Sequence, residues 1–280
     1  MRKLRHGISE LLVVLFIATG LITTMFVASR VEPEFSLIRG QQPETAQEIV
    51  FPGLETTSPS PSPTPDPTKN WLLPDMRASA PKQLYITSAS GTKKMRFDTT
   101  FTNIGDGPLE MTGKNDEERG VTVATQRIKT KDETVEELQI GEFVYHPGHK
   151  HWHVDRYALF ELFSIDEAGN PKEVLASTDK FSFCIWDEHT SDLSLPNAPQ
   201  TRQYLRCITN IQGNSVGWGD TYTANIEGQE ITIAGIPDGD YMVKSTVNAD
   251  RSIIEKDYSN NSATLYINIT GNSIRVIEDY

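Results

Sequence analysis

Met95-Arg-Phe-Asp-Thr-Thr-Phe-Thr-Asn103 sets aromatic and β-branched side chains in a short segment that runs straight into Gly105-Asp-Gly-Pro108, a cluster of turn formers. This reads as a strand ended by a reversal, and the same pattern recurs on both sides of it. Residues 83–88 lie upstream, and residues 121–129, 157–165, 230–233, 240–248 and 263–269 lie downstream, with Asp166-Glu-Ala-Gly169 and Pro237-Asp-Gly239 as further turns. No long helical periodicity interrupts them and no internal repeat is present. Residues 71–280 are therefore expected to form one all-β domain, an antiparallel β-sandwich with long loops.

The chain before that domain has a different character. Arg2, Lys3 and Arg5 precede an uncharged apolar stretch, residues 11–29, about long enough to cross a bilayer as a helix. Residues 1–30 thus read as a signal peptide or a membrane anchor. Val27-Ala28-Ser29 would serve as a cleavage site, whereas the length of the stretch favours the anchor. Either way the domain is expected outside the cytoplasm, secreted or held to the membrane by this single span. Residues 31–70 have almost no hydrophobic periodicity and contain Ser58-Pro-Ser-Pro-Ser-Pro-Thr-Pro-Asp-Pro67, the composition of a disordered, extended Pro/Ser/Thr-rich linker.

Charge narrows the partners. The chain of 280 residues carries a formal net charge of -12, and Arg2, Lys3, Arg5 and Arg30 against Glu10 leave 22 basic and 37 acidic residues for the rest. So acidic a surface repels phosphate backbones, which argues against nucleic acid, and attracts cations, including amines and hard metal ions. Two cysteines, Cys184 and Cys207, exclude a four-cysteine zinc site, and an oxidising compartment would permit a bridge between them.

Four of the six histidines fall within His146-Pro-Gly-His149-Lys-His151-Trp-His153. His149, His151 and His153 are spaced by two, which on an extended strand places them on one face, where three imidazoles can converge on one ion. Zinc or copper suits such a set, and spacing alone does not choose between them. His146 has the other parity and is expected beside the site. His189 in a polar loop and His6 in the basic N-terminus are expected not to bind metal.

Taken with three further segments, the histidine run resembles the copper-dependent lysyl oxidases in a short form without accessory domains. Those segments are Lys180-Phe-Ser-Phe-Cys184, Gln212-Gly-Asn-Ser-Val-Gly-Trp-Gly-Asp-Thr-Tyr222 and Glu255-Lys-Asp-Tyr-Ser-Asn-Asn261, in family order. The resemblance implies that His149, His151 and His153 hold copper. It also implies that Lys180 and Tyr222 form lysine tyrosylquinone, an organic cofactor made by oxidising a tyrosine and joining a lysine amine to its ring. Oxidation turns the ring into an electrophile, and a neutral amine is the matching nucleophile. The implied reaction takes a primary amine and molecular oxygen to an aldehyde, ammonia and hydrogen peroxide, with peptidyl lysine as one substrate option. Asp220, two residues before Tyr222, is the candidate catalytic base.

The last segment is rich in oxygen donors. Glu255, Asp257, Asn260 and Asn261 supply two carboxylates and two amides, a donor set suited to calcium but not in EF-hand spacing. By resemblance Asp75 and the carbonyl of Met76 complete a calcium site. Two other classes of function fit parts of the pattern: a membrane-tethered copper-binding module without a redox cofactor, and a calcium-stabilised adhesion sandwich.

Overall fold

A computed structural model describes residues 65–89, 91–146, 151–154, 157–180, 184–205 and 211–278. The chain divides into Met1–Thr56 and Thr57–Tyr280, and all described residues belong to the second unit. The apolar N-terminal segment and most of the linker lie outside them. Among the described residues there is no helix and every strand pairing is antiparallel.

The strands form three sheets. One has the order β12 (Ile211–Asn214), β5 (Leu109–Asp116), β6 (Val121–Thr130), β7 (Val135–His146) and β8 (His151–Val154), with β1 (Trp71–Leu72) also on β6. A second runs β10 (Pro171–Lys180), β9 (Ala158–Ile165), β15 (Gly239–Val247), β16 (Ser262–Thr270) and β17 (Ser273–Ile277). In the third, β4 (Thr92–Asn103) is the hub. It pairs with β13 (Trp218–Tyr222), β14 (Glu230–Thr232), β2 (Met76–Ala78) and β3 (Lys82–Ala89), and β11 (His189–Thr190) extends β13.

The pattern that made residues 95–103 legible is the one that builds the core. Met95, Phe97 and Phe101 are fully buried along β4, while Arg96, Asp98 and Thr100 between them stay partly exposed. Phe97 meets Phe160 of β9 edge to face at 5.0 Å, and Met111, Ala124, Ile267 and Ile269 join the same apolar cluster, so the three sheets share one core. All seven expected segments are strands. Those without a sequence signal, such as β7, β10 and β17, have charged residues on a solvent-facing side, which hides their alternation.

Before Trp71 the chain is already tied to the domain. Lys69 pairs with Glu136 at 2.9 Å and Asn70 donates to Asp132, both near the β6–β7 turn.

Replacing Phe97 by Ala removes a fully buried ring and is expected to destabilise the domain by about 3–5 kcal/mol, lowering the melting midpoint by roughly 6–20 °C. Val174→Ala at an exposed position should change it by less than about 0.5 kcal/mol. Thermal melts followed by circular dichroism give both values, and equal effects would contradict the core described here.

Candidate active site

Tyr222 closes β13, opposite Thr99 of β4, and its ring is buried against Phe101 at 6.2 Å. Both ends of the residue are held. Gln229, fully buried, donates its amide to the Tyr222 carbonyl at 2.6 Å and to Thr99 Oγ1 at 2.7 Å. At the other end, Tyr222 Oη lies 2.9 Å from the Cys184 carbonyl and 2.5 Å from Asp220 Oδ2. Residues i and i+2 of a strand share a face, and here the two side chains meet. The loop after Tyr222 is clamped to β4 as well: Arg96 reaches the carbonyls of Ala224 and Ile226, and Asp98 accepts from the Ala224 amide.

Residues 184–188 form a strap over β12 and β13, with a bond at almost every position. Ile185 donates to Gln212 Oε1 and accepts from the Gly213 amide. The Trp186 amide points at Asp220 Oδ2, 3.3 Å away. Glu188 bonds the Gly219 carbonyl through its amide and the Thr221 amide through its carboxylate, at 3.0 and 2.8 Å. The strap is anchored by Asp187, a fully buried carboxylate that accepts from Ser215 N and Oγ, Gln203 N and Tyr204 N at 2.7 to 3.2 Å. Gly217, at φ 78°, makes the turn into β13. A side chain there would sit 2.3 Å from the Asp192 carbonyl, so only glycine fits.

The strap bears on Lys180. Four residues of chain span at most about 14 Å, so the Cys184 carbonyl that touches the Tyr222 hydroxyl limits how far the end of β10 can lie from that ring. A second path leads to the same place. Lys180 pairs with Ala158, next to Tyr157, whose ring stacks edge-on at 5.7 Å against Phe101, the same Phe101 that borders Tyr222. The Lys180 side chain and residues 181–183 lie outside the described residues.

His149 also lies outside them. His151 and His153 occupy alternate positions of β8, at the edge of its sheet. Position 146 is the direct cross-strand partner of His151. Among the described residues no group of three His, Cys, Asp or Glu side chains is gathered for a metal. His189 Nδ1 sits 3.5 Å from Glu188 Oε2, and its ring packs over Gly219.

The electrostatics around Tyr222 are those of buried acids. Burial lifts the Asp220 carboxyl to about 8, against the bonds from Tyr222 and Trp186 and with help from the like charge of Glu188. Burial, with Asp220 beside it, likewise holds the Tyr222 phenol well above its ordinary value. A cavity of about 850 Å³ elsewhere, lined by Glu110, Lys129, Tyr204 and Ile211 among others, is bordered by neither Asp220 nor Tyr222.

The oxygen-rich segment is gathered too. Asp75 and Glu255 are buried; Asp75 Oδ1 accepts from Asn260 at 2.7 Å, and the Lys256 amide bonds the Pro74 carbonyl, joining the two stretches. Glu255 accepts from the Met76 amide at 2.7 Å and from the Asn248 and Asn261 amides at 2.5 and 2.6 Å. Asp257 accepts from Ser259 and adds like charge near Asp75, whose carboxyl burial already pushes up. The amide oxygens of Asn260 and Asn261 are buried without a hydrogen-bond partner, which suits donors reserved for a hard cation.

Sequence reasoning did not single out the Cys184 carbonyl, Trp186, Asp187 or Gln229. A backbone carbonyl leaves no trace in sequence, and the other three are ordinary residues until the loops close.

The lysyl oxidase family model matches residues 111–278. Lysyl oxidase homolog 1 of Homo sapiens is 34% identical over 128 residues, 45% of this chain and 20% of that protein. Protein-lysine 6-oxidase is 34% identical over the same length in Gallus gallus and in Sus scrofa, covering 28% and 47% of those proteins. The match thus spans less than half the length of each of these relatives. With the family model covering more than half of the chain, the protein belongs to the lysyl oxidase family.

Proposed function

We propose that the domain is a copper- and quinone-dependent amine oxidase that converts a primary amine, with oxygen and water, to an aldehyde, ammonia and hydrogen peroxide. The observation that carries this reading is the bond between the Tyr222 hydroxyl and the Cys184 carbonyl, four residues from Lys180, in a chain of the lysyl oxidase family. Lys180 and Tyr222 would supply lysine tyrosylquinone, and His149, His151 and His153 would hold copper. Bound there, these groups would supply the two-electron redox chemistry that links amine oxidation to oxygen reduction.

The rest of the chain's contribution is positioning. Gln229 and the strap hold the Tyr222 ring in one orientation, and Phe101 with Tyr157 walls one side of it from water. Asp220 is the carboxyl in contact with the phenol, beside the ring at which the amine would react. The acidic surface would steer cationic amines, peptidyl lysine among them, a conclusion in line with relatives named protein-lysine 6-oxidase. Calcium held by Asp75, the Met76 carbonyl, Asp257, Asn260 and Asn261, over a floor fixed by Glu255, would brace the loops. We place the domain outside the cytoplasm, secreted or tethered by residues 1–30, where Cys184 can bridge to Cys207.

Copper-loaded, aerated protein should react with phenylhydrazine and yield a Lys180–Tyr222 cross-linked peptide by mass spectrometry. Tyr222→Phe should abolish the adduct and peroxide production while leaving copper binding in place; undiminished peroxide would sink the assignment. Asp257→Ala is expected to lower the melting temperature only when calcium is present, and an equal loss with and without calcium would remove the cation from the account.

A further inference from the structure

The contacts of Tyr222 Oη pose a proton-counting problem. Oη lies at hydrogen-bonding distance from the Cys184 carbonyl and from Asp220 Oδ2. A phenol has one proton, and a carbonyl can only accept. If Asp220 were ionised, two acceptors would compete for that proton, and one short contact would set lone pair against lone pair. A proton on Asp220 Oδ2 resolves both contacts: Oδ2–H donates to Oη, and Oη–H donates to the Cys184 carbonyl.

The surroundings agree. Asp220 is 3% exposed, and no Lys, Arg or His side chain among the described residues is hydrogen-bonded to it. Among the described residues, the ionisable groups that bear on it are the phenols of Tyr222 and Tyr157 and the carboxylate of Glu188, which is of the same sign. From β4, the residue opposite it is Phe101, and from the strap it receives the long Trp186 amide contact and a bond from the Trp186 side chain, neither of them a cation. An uncompensated carboxylate in such a place is costly by several kcal/mol, and neutralisation is the usual escape.

We infer that Asp220 is a neutral carboxylic acid that donates to the Tyr222 ring oxygen, and that it is a positioning residue for the ring rather than the base of amine oxidation. The first half stands on the hydrogen bonds alone; the second rests on the amine-oxidase reading. A base must start ionised with a lone pair facing the substrate, whereas Asp220 Oδ2 is engaged with the ring oxygen and Oδ1 is buried without a partner. As a donor, Asp220 fixes the ring's rotation, with Gln229 holding the backbone end. It also favours negative charge on that oxygen whenever the ring accepts electrons.

The two halves are tested separately in the full chain. Without added copper, difference infrared spectroscopy should show a protonated carboxyl band at neutral pH that titrates with a midpoint of about 8 and is absent from Asp220→Asn. No such band in the wild type would overturn the neutral acid, whatever the protein catalyses. Stability should follow the same proton. Because folding raises this carboxyl above its ordinary 3.8, its contribution is full below that pH and is lost as pH rises through about 8, a slope that Asp220→Asn removes.

With copper and air, Asp220→Ala should lower the yield of cross-linked peptide and of phenylhydrazine adduct by more than about tenfold, and Asp220→Asn, which keeps a donor in the same place, should restore both. Phenylhydrazine remains neutral across the range, so its labelling rate reports the protein. That rate should fall with rising pH in the wild type, as Asp220 loses its proton, and be flat in Asp220→Asn. A rate that instead rises with pH, with Asp220→Asn losing turnover by about 10²–10⁴-fold, would make Asp220 the base and overturn the positioning role. Absence of any adduct in the wild type would remove the oxidase reading and with it the second half, while the infrared band would still decide the first.

Discussion

The bond between the Tyr222 hydroxyl and the Cys184 carbonyl joins parts of the chain that are far apart in sequence, and the rest of the site depends on it. On one side of it stands β13, built into the hub strand β4 and held in register by Gln229 and Thr99. On the other is the strap, whose first residue follows closely on the end of β10. Two elements from different sheets are thereby brought to one buried ring. The bond itself is worth little in isolation, on the order of 1 kcal/mol net, but both of its groups are buried, where losing a hydrogen bond costs more than making one contributes.

A chain with two cysteines has to hold long loops by other means. Here buried carboxylates do this at two points. Asp187 gathers four donors from two segments and closes the stretch 184–205 on the turn before β13. Glu255 gathers three and ties the 248–261 loop to the edge strand β2. Each hub collects donors that would otherwise be buried unpaired, three backbone amides and a hydroxyl at Asp187, one backbone amide and two side-chain amides at Glu255. The same strategy makes these positions intolerant, because truncating the acid strands every donor at once.

Desolvation works differently at Asp220. Asp187 accepts four hydrogen bonds from backbone amides and a hydroxyl, whereas Asp220 has the Trp186 contacts, a phenol and a like charge nearby. Two aspartates with similar burial thus keep very different company. This contrast is local and geometric, and it separates a hub that ties loops together from the acid beside the Tyr222 ring.

The alternation of β4, the turn formers after it and the spacing of the histidines were sufficient to determine an all-β antiparallel fold and to nominate His149, His151 and His153, because period-two patterning and turn chemistry act over a few neighbours, whereas Lys180 and Tyr222 came from the resemblance alone. The four segments in family order carried the lysyl oxidase assignment for the same reason: each is a contiguous run of side chains. The grouping into three sheets, the placement of position 146 opposite His151, the strap and the company kept by Asp220 were decided only by tertiary structure. They depend on which distant backbone groups arrive beside a given side chain. No local pattern encodes that, since hydrogen-bond partners and dielectric surroundings exist only once the chain has closed on itself.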